Sequence, residues 1–275
     1  NREIESNDDG GLDRNFKISK FITTAGTYYV RVKHHSTSLT GSYSLVSQFI
    51  ADDYGNARNT AATISATSTT SGNLEIVGDV DYFKIVIPSS ATRKGALTVD
   101  INDTRTYTFL RDTSDRQLAS FHGLEGNVMR PVRAGETYYV SVEGSSAAPT
   151  VRYTLTSQFT PDDHGDTKET ATLINPDSNT SGHITSYEDK DYFKIVIPRA
   201  GTLVVETTGA TDTKGTLSNN NGRGINYDSD SGIGGKNFKI TQTVTAGTYY
   251  VIVQHQSFRS SIDYYSLITQ FTPDP

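Results

Sequence analysis

The chain has 275 residues, contains no cysteine or tryptophan, and carries a net charge of −6 at pH 7 from 25 basic and 31 acidic residues. Without cysteine it has neither disulfides nor thiol chemistry, and its basic residues form no cluster that would follow a phosphate backbone, which argues against a nucleic-acid partner. No run of about 18 apolar residues occurs, so the sequence predicts no membrane span.

A half copy of a repeat comes first in the chain, and two full copies follow it. The word Ala-Gly-Thr-Tyr-Tyr-Val at residues 25–30 returns at 134–140, with one inserted residue, and again at 246–251. The word Asp-x-Asp-Tyr-Phe occurs only twice, at 79–83 and 189–193. The distance between these two words is the length of an independent domain and far exceeds a solenoid repeat.

Alternating apolar and polar residues predict strands throughout both full copies. In the run 82–87, Phe83, Ile85 and Ile87 point to one face, and Pro88 ends the strand because it has no N–H to donate. Further strands are predicted at 96–101, 128–132, 152–159, 202–207, 237–243, 247–254 and 264–271, with short turns at 57–64 and 167–173. About seven or eight short strands per copy predict an all-β chain of tandem antiparallel β-sandwiches.

These repeats predict three units, namely the C-terminal half of a sandwich at 1–50 and whole sandwiches at 51–160 and 161–275. Half a sandwich leaves one apolar face uncovered and several strand edges unpaired. We therefore expect the first unit to be completed by an upstream segment of the same protein or by strands from another protein chain.

Five motifs follow one another in the third unit: Asp162-Asp163-His164-Gly165-Asp166-Thr167, Asp189-x-Asp191-Tyr192-Phe193, Ala200-Gly201-Thr202-Leu203, Asp212-Thr213-x-Gly215-Thr216-Leu217 and Ala246-Gly247-Thr248-Tyr249-Tyr250-Val251. In this order they resemble the bacterial pre-peptidase C-terminal (PPC) domain. The first unit fits the back half of the same pattern, and the middle unit fits it more loosely. The resemblance implies jelly-roll-like sandwiches, related to the collagen-binding modules of secreted collagenases, often stabilised by calcium and without catalysis of their own.

Calcium is the cofactor that the acidic residues favour. Each whole unit begins with two aspartates, and further acidic residues stand about 26 positions later at the head of a strand, where the resemblance implies that both sets bind one ion. Oxygen ligands of this kind suit Ca²⁺. The alternative is that aspartates form turns or are simply solvated at strand ends. The predicted ligands are Asp52, Asp53, Asp79 and Asp81 in the middle unit, and Asp162, Asp163, Glu188, Asp189 and Asp191 in the third.

Catalytic machinery is not predicted. The sequence contains no Gly-x-Ser-x-Gly, no His-Glu-x-x-His and no phosphate-binding glycine loop, so we expect no enzyme activity. His34 and His35 are adjacent on one predicted strand and so point to opposite faces, which argues against a shared zinc site. His164 is expected at the surface, because Tyr54 replaces it in the other copy.

Three functions fit these expectations, and the third of them is a chaperone-like or propeptide-like appendage that assists secretion and is then trimmed. The first is a non-catalytic extracellular structural or assembly module of calcium-stabilised sandwiches, able to self-assemble as a subunit of a surface layer or filament. The alternative is a module that targets a secreted hydrolase to collagen, polysaccharide or the cell envelope. The composition, rich in Gly, Ser, Thr, Asn and Asp with 16 tyrosines, is typical of secreted bacterial β-proteins and predicts an extracellular or cell-surface location.

Overall fold

The computed structural model of the protein describes residues 2–36, 38–89, 94–123, 127–145, 150–257 and 262–275. It separates into two compact units, Asn1–Asp52 and Asp53–Pro275. The second unit contains two β-sandwiches with nine described strands each, so the predicted all-β fold of tandem antiparallel β-sandwiches is confirmed.

The strands alternate with short turns along the second unit. In the first sandwich they are β1 Ala62–Ser65, β2 Ser68–Leu74, β3 Val80–Val86, β4 Gly95–Ile101, β5 Thr106–Arg111, β6 Gln117–His122, β7 Val128–Val132, β8 Thr137–Gly144 and β9 Val151–Pro161. In the second they are β10 Thr172–Ile174, β11 Ser178–Ile184, β12 Asp191–Ile197, β13 Gly201–Thr208, β14 Thr213–Asn219, β15 Gly224–Asp228, β16 Lys239–Val244, β17 Gly247–His255 and β18 Asp263–Pro273.

Helical structure in the described part of the chain is limited to three-residue 3-10 turns. They are Leu12–Arg14, Arg58–Thr60, Lys168–Thr170 and Ile233–Gly235. The second and third confirm the short turns expected at 57–64 and 167–173. None of the four is long or apolar enough to cross a membrane.

Both sandwiches have the same sheet order. The first pairs a five-stranded sheet, β1-β3-β8-β5-β6, with a four-stranded sheet, β2-β9-β4-β7, and the second repeats this order from β10 to β18. Strands β1 and β10 run parallel to β3 and β12, while the other ladders in the described ranges are antiparallel. Without β1 and β10, each order is that of a jelly roll, as the family resemblance implied.

The core lies between the two sheets of each sandwich and follows the predicted alternation. Phe83, Ile85 and Ile87 are fully buried, while Val86 faces outward and is exposed. In the second sandwich Phe193 takes the place of Phe83 at the same depth. The period-two pattern of the Asp-x-Asp-Tyr-Phe word thus places its two aspartates on the inner face as well.

The first unit has a different character from the sandwiches. Residues 2–36 and 38–52 contain no strand, and Leu12–Arg14 is their one 3-10 turn. Most of its large apolar side chains are exposed, and none is buried in the described ranges. Tyr43 is 71% exposed, whereas its counterpart in the second sandwich, Tyr265, is 4% exposed. The half copy therefore does not bury a core of its own.

The jelly-roll order explains why this half copy forms no sheet. Its motifs correspond to β15–β18 of the second sandwich, and there β15 pairs with β14, β16 with β13, β17 with β12 and β14, and β18 with β11 and β13. Every partner belongs to the front half of the sandwich. A back half on its own consequently has no strand with which to form these ladders.

Candidate metal centre

Two aspartates at the head of β12 lie inside the second sandwich. Asp191 begins β12 with its side chain on the same inner face as Phe193, and Asp189 precedes it by two positions, so both carboxylates are fully buried. Tyr265 donates its hydroxyl hydrogen bond to Asp191 Oδ2. The backbone N–H of Thr185 donates to Asp189 Oδ2 at 2.6 Å, and its hydroxyl donates at 2.7 Å.

The acidic segment 162–166 crosses the head of this strand and completes two groups of carboxylates. One ligand oxygen from each member lies within 4.8 Å of the others in both groups. The first group, called group A here, is Asp162, Asp163 and Asp191, and the second, group B, is Asp162, Asp166 and Asp189. Glu188 is exposed and belongs to neither group.

Four aspartates of these groups each have one buried carboxylate oxygen that accepts no hydrogen bond from the described residues. His183 donates its N–H to Asp163 Oδ2 at 3.1 Å, while Asp163 Oδ1 accepts no hydrogen bond from the described residues. The same holds for Oδ1 of Asp162, Asp189 and Asp191. Unpaired buried carboxylate oxygens are costly, and a cluster of such oxygens is the donor set that a hard divalent cation takes. The residues therefore fit a metal ion.

Burial of the cluster changes its acid–base chemistry. Desolvation, followed by the neighbouring carboxylates Asp189 and Asp166, raises the pKa of Asp162 to about 7. Desolvation and the charge of Asp189 likewise raise the pKa of Asp191 well above its ordinary value. In the metal-free protein the ionised cluster is therefore destabilising at neutral pH, and a bound cation would remove that cost.

The first sandwich carries a related arrangement at the head of β3. Tyr153 donates to Asp81 Oδ2, and the N–H of Glu75 donates to Asp79 Oδ2 at 2.7 Å. Oδ1 of both aspartates is buried and has no hydrogen-bond partner in the described part of the chain. Desolvation is the main cause that raises the pKa of Asp81 to about 8. The hydrogen bond from Tyr153 lowers this pKa, and the nearby carboxylates, of which Asp53 has the largest effect, raise it further.

The remaining predicted residues of this sandwich differ in their surroundings. Asp53 Oδ2 accepts hydrogen bonds from the backbone and side-chain nitrogens of Asn73, at 2.9 and 3.0 Å. This matches the contact of Asp163 with His183 in the other copy. Asp52 is exposed and is the last residue of the first unit.

The prediction that His164 lies at the surface is wrong. Its side chain is 8% exposed, with Nδ1 at 2.9 Å from Thr172 Oγ1 and Nε2 at 3.0 Å from the carbonyl oxygen of Ser181. Tyr54 donates to the equivalent carbonyl, that of Ser71, at 3.0 Å. Both rings also pack on the core phenylalanine of their sandwich, so an aromatic residue with a polar tip anchors the acidic segment in each copy.

Two charged residues of the site were not predicted. Asp166 completes group B, although its counterpart Asn56 is neutral and gave no sign of a ligand. Lys94, from the loop before β4, places its Nζ 2.8 Å from Asp166 Oδ1. The repeated segment Asp-Asp-x-Gly-(Asp or Asn) was the one signal in the sequence that could have identified Asp166.

A glycine opposite Tyr265 gives a direct test of this geometry. A Cβ added at Gly182 would lie 2.4 Å from the Tyr265 hydroxyl that donates to Asp191. We expect Gly182→Ala to lower the free energy of unfolding by about 1–3 kcal/mol in urea denaturation. Gly224→Ala is the control, because its nearest neighbour would be 3.7 Å away. Equal midpoints for the two variants would contradict the proposed close approach.

Known proteins resemble this chain only distantly. No protein-family model matches it, and no curated protein matches it. Among solved structures, the pre-peptidase C-terminal domain of collagenase from Bacillus anthracis is 13% identical with a TM-score of 0.32, covering 40% of this chain and 98% of that one. This is a domain of the family that the motifs resemble.

Two longer structures cover more of the chain at lower identity. A putative secreted protein from Eubacterium rectale is 8% identical with a TM-score of 0.28, covering 80% of this chain and 82% of that one. Tandem CBM51 modules of a family 98 glycoside hydrolase from Streptococcus pneumoniae are 8% identical with a TM-score of 0.25, covering 74% and 88%. None of the three is similar enough for its binding properties to be carried over to this chain.

Proposed function

We propose that the chain is a non-catalytic structural module of an extracellular or cell-surface protein, built from PPC-like β-sandwiches that bind calcium. Its domains are proposed to be 1–50, 51–160 and 161–275. The observation that carries this proposal is the pattern of buried aspartates, each of which turns one oxygen without a hydrogen-bond partner toward a shared acidic cluster. When it is occupied, such a site stabilises the fold.

The proposed calcium ligands come from the acidic segments and strand heads. They are Asp53, Asp79 and Asp81 in the first sandwich and Asp162, Asp163, Asp189 and Asp191 in the second; Asp52 and Glu188 are proposed on the sequence pattern alone. When bound, calcium would supply positive charge to this cluster of carboxylates. The residues themselves tie the segment 162–166 to the head of β12, and this makes the junction between the two sandwiches stiffer.

Without calcium, the free energy of unfolding should fall as the pH rises, and calcium should oppose this loss. The folded-state pKa values of Asp162 and Asp81, about 7 and about 8, exceed the ordinary 3.8. Between about pH 4 and pH 8 the folded protein therefore binds more protons than the unfolded chain. In a chelator, the free energy of unfolding should consequently fall as the pH rises from about 4 to about 8. Calcium requires the ionised carboxylates, so its stabilisation should be largest at the upper end of this range.

Urea unfolding followed by circular dichroism checks this expectation at pH 5, 6.5 and 8, with chelator or with added Ca²⁺. Mg²⁺ serves as the matched ion, and we expect it to stabilise less because it keeps its waters and demands octahedral geometry. If Ca²⁺ leaves the midpoint at pH 8 unchanged, the chain has no calcium site and this part of the proposal is wrong.

The assembly role is proposed from the first unit. Tyr29 and Val46 are 84% and 87% exposed there, and the jelly-roll order leaves its strand segments without partners inside their own half. We propose that the front half of a PPC-like sandwich, from another protein chain or an upstream segment, supplies those partners. Repeated completion of this kind would join such modules into a surface layer or filament.

The alternative role, targeting a secreted hydrolase to a polysaccharide, collagen or the cell envelope, is favoured by one feature of the first sandwich. A polar groove of about 490 Å³ lies on its four-stranded sheet, a size suited to a small polar ligand. It is lined by Ser71, Gly72, Asn73, Asn102, Arg152, Tyr153 and Thr154. Against this role, the exposed Tyr227 and Tyr264 lie on β15 and β18, which belong to different sheets. An aromatic strip on one sheet would be needed to favour binding.

A further inference from the structure

A lysine of the first sandwich reaches into the carboxylate cluster of the second. Lys94 Nζ lies 2.8 Å from Asp166 Oδ1 and 3.9 Å from Asp189 Oδ1, and its side chain is 25% exposed. Both aspartates belong to group B, in which Asp189 is fully buried and its Oδ1 has no hydrogen-bond partner among the described residues. The ammonium group is therefore the positive charge that faces group B.

The backbone holds Lys94 in this place. Its carbonyl oxygen accepts a hydrogen bond from the N–H of Asp162 at 2.9 Å, at the end of the ladder between β4 and β9. In the second sandwich Ala200 occupies the equivalent position, and its carbonyl accepts the same bond from Asp274 at 3.0 Å. The ladder thus forms equally with alanine, so the lysine side chain is not needed for the backbone geometry.

A divalent cation and the lysine would compete for the same oxygens. Calcium binds carboxylate oxygens at about 2.3–2.6 Å, and the ammonium group already contacts Asp166 Oδ1. Group A, made of Asp162, Asp163 and Asp191, has no lysine or arginine paired with it in the described part of the chain; its basic neighbours are the imidazoles of His183 and His164, 3.1 and 3.6 Å from Asp163 Oδ2. The two groups share Asp162, so the negative charge of Asp162 would face both a cation in group A and the ammonium group of Lys94 in group B.

We propose that Lys94 is an internal cation that fills one of two adjacent cation subsites of the second sandwich. This sandwich then binds one divalent ion, in group A, and group B is neutralised by a residue of the preceding sandwich. The inference rests on the proposed calcium binding. It gives the junction between the sandwiches an ionic contact that persists when calcium is removed. This contact adds to the hydrogen bonds from Tyr192 N–H to the Gly165 carbonyl and from Lys190 N–H to Asp166 Oδ1, which hold the acidic segment to the head of β12.

Counting bound calcium tests this assignment. The full chain and its Lys94→Ala variant are titrated with Ca²⁺ by isothermal calorimetry, and equilibrium dialysis gives the number of ions per chain. We expect Lys94→Ala to bind one more Ca²⁺ than the wild-type chain, because group B becomes open. The double variant Lys94→Ala/Asp166→Asn should return to the wild-type number, since it removes a ligand of the new site.

Controls separate this inference from folding defects and from the proposed function. Lys84→Ala removes a lysine of the same sandwich from the middle of β3, and should leave the number unchanged. Lys94→Met, which keeps the length of the side chain without its charge, should bind the same extra ion as Lys94→Ala. If the wild type binds calcium and both Lys94 variants bind the same number of ions, the inference alone is overturned. If the wild type binds none, the proposed calcium function is overturned with it.

Discussion

Asp191→Asn is expected to stabilise the protein without calcium and to destabilise it with calcium. In a chelator at pH 8, we expect the variant to unfold at a higher urea concentration than the wild type, with a gain of about 1–3 kcal/mol. With saturating Ca²⁺ the order should reverse. The wild type then gains about 2.7 kcal/mol when free calcium is 100 times the dissociation constant of the site, and the variant lacks a ligand.

The first half of this reversal follows from the burial of the carboxylate. Asp191 is fully buried, and desolvation together with Asp189 raises its pKa well above the ordinary value, so ionisation at pH 8 is costly. Asparagine has the same shape, still accepts the hydrogen bond of Tyr265, and offers N–H donors to the two partners of Asp191 in group A. It thus keeps the contacts of Asp191 without the charge.

The loss of stability expected for Asp191→Asn in calcium depends on the bound ion. A matched surface variant distinguishes this effect from the general effect of removing a carboxylate. Asp230→Asn removes an exposed carboxylate of the same sandwich, and we expect it to unfold like the wild type in both conditions. Asp81→Asn should show the same reversal through the first sandwich. A variant of Asp191 that is less stable than the wild type in chelator as well as in calcium would show that the buried charge is not the source of the cost.

The strands that face a core could be read from the sequence, whereas those defined by distant partners could not. The alternation around Phe83 is a local property, and β3 forms where it was predicted. Strand β2, with the polar sequence Ser-Thr-Thr-Ser-Gly-Asn-Leu, has no such pattern. It is a strand because it pairs with β9, whose residues lie 77 to 89 positions later in the chain. The short strands β1 and β10 also depend on their parallel partners.

The same distinction applies to the candidate metal centre. Asp189 and Asp191 stand two positions apart at the head of a strand, so the sequence itself predicts that they share a face. Lys94 gave no signal, because it is 72 positions before Asp166 and reaches it only through the ladder between β4 and β9. His164 was wrongly predicted to be exposed because a histidine that is replaced by tyrosine in the other copy resembles a surface residue. In the structure, the His164 and Tyr54 rings each make a hydrogen bond to the equivalent backbone carbonyl inside their sandwich.

A copy of residues 161–222 placed directly before Arg2 is expected to turn residues 2–52 into β-sheet. By its motifs Arg2 corresponds to Arg223, so the added segment supplies the counterparts of β10–β14 in the correct order. Those are the strands with which β15–β18 pair in the second sandwich. The side chains of Tyr43 and Leu45, now 71% and 47% exposed, would then be buried as Tyr265 and Leu267 are.

Amide hydrogen exchange measured by mass spectrometry gives the outcome segment by segment. In the fusion we expect exchange in residues 2–52 to slow by about a thousandfold or more, as in the core strands of a stable domain. The control fusion carries a copy of residues 223–275 instead. It has a similar length and the same kind of strands, but in the jelly-roll order a back half has no partners for another back half, so exchange should stay fast. Slow exchange with both fusions, or already in the unmodified chain, would mean that the first unit needs no front half, and the assembly role proposed for it would be wrong.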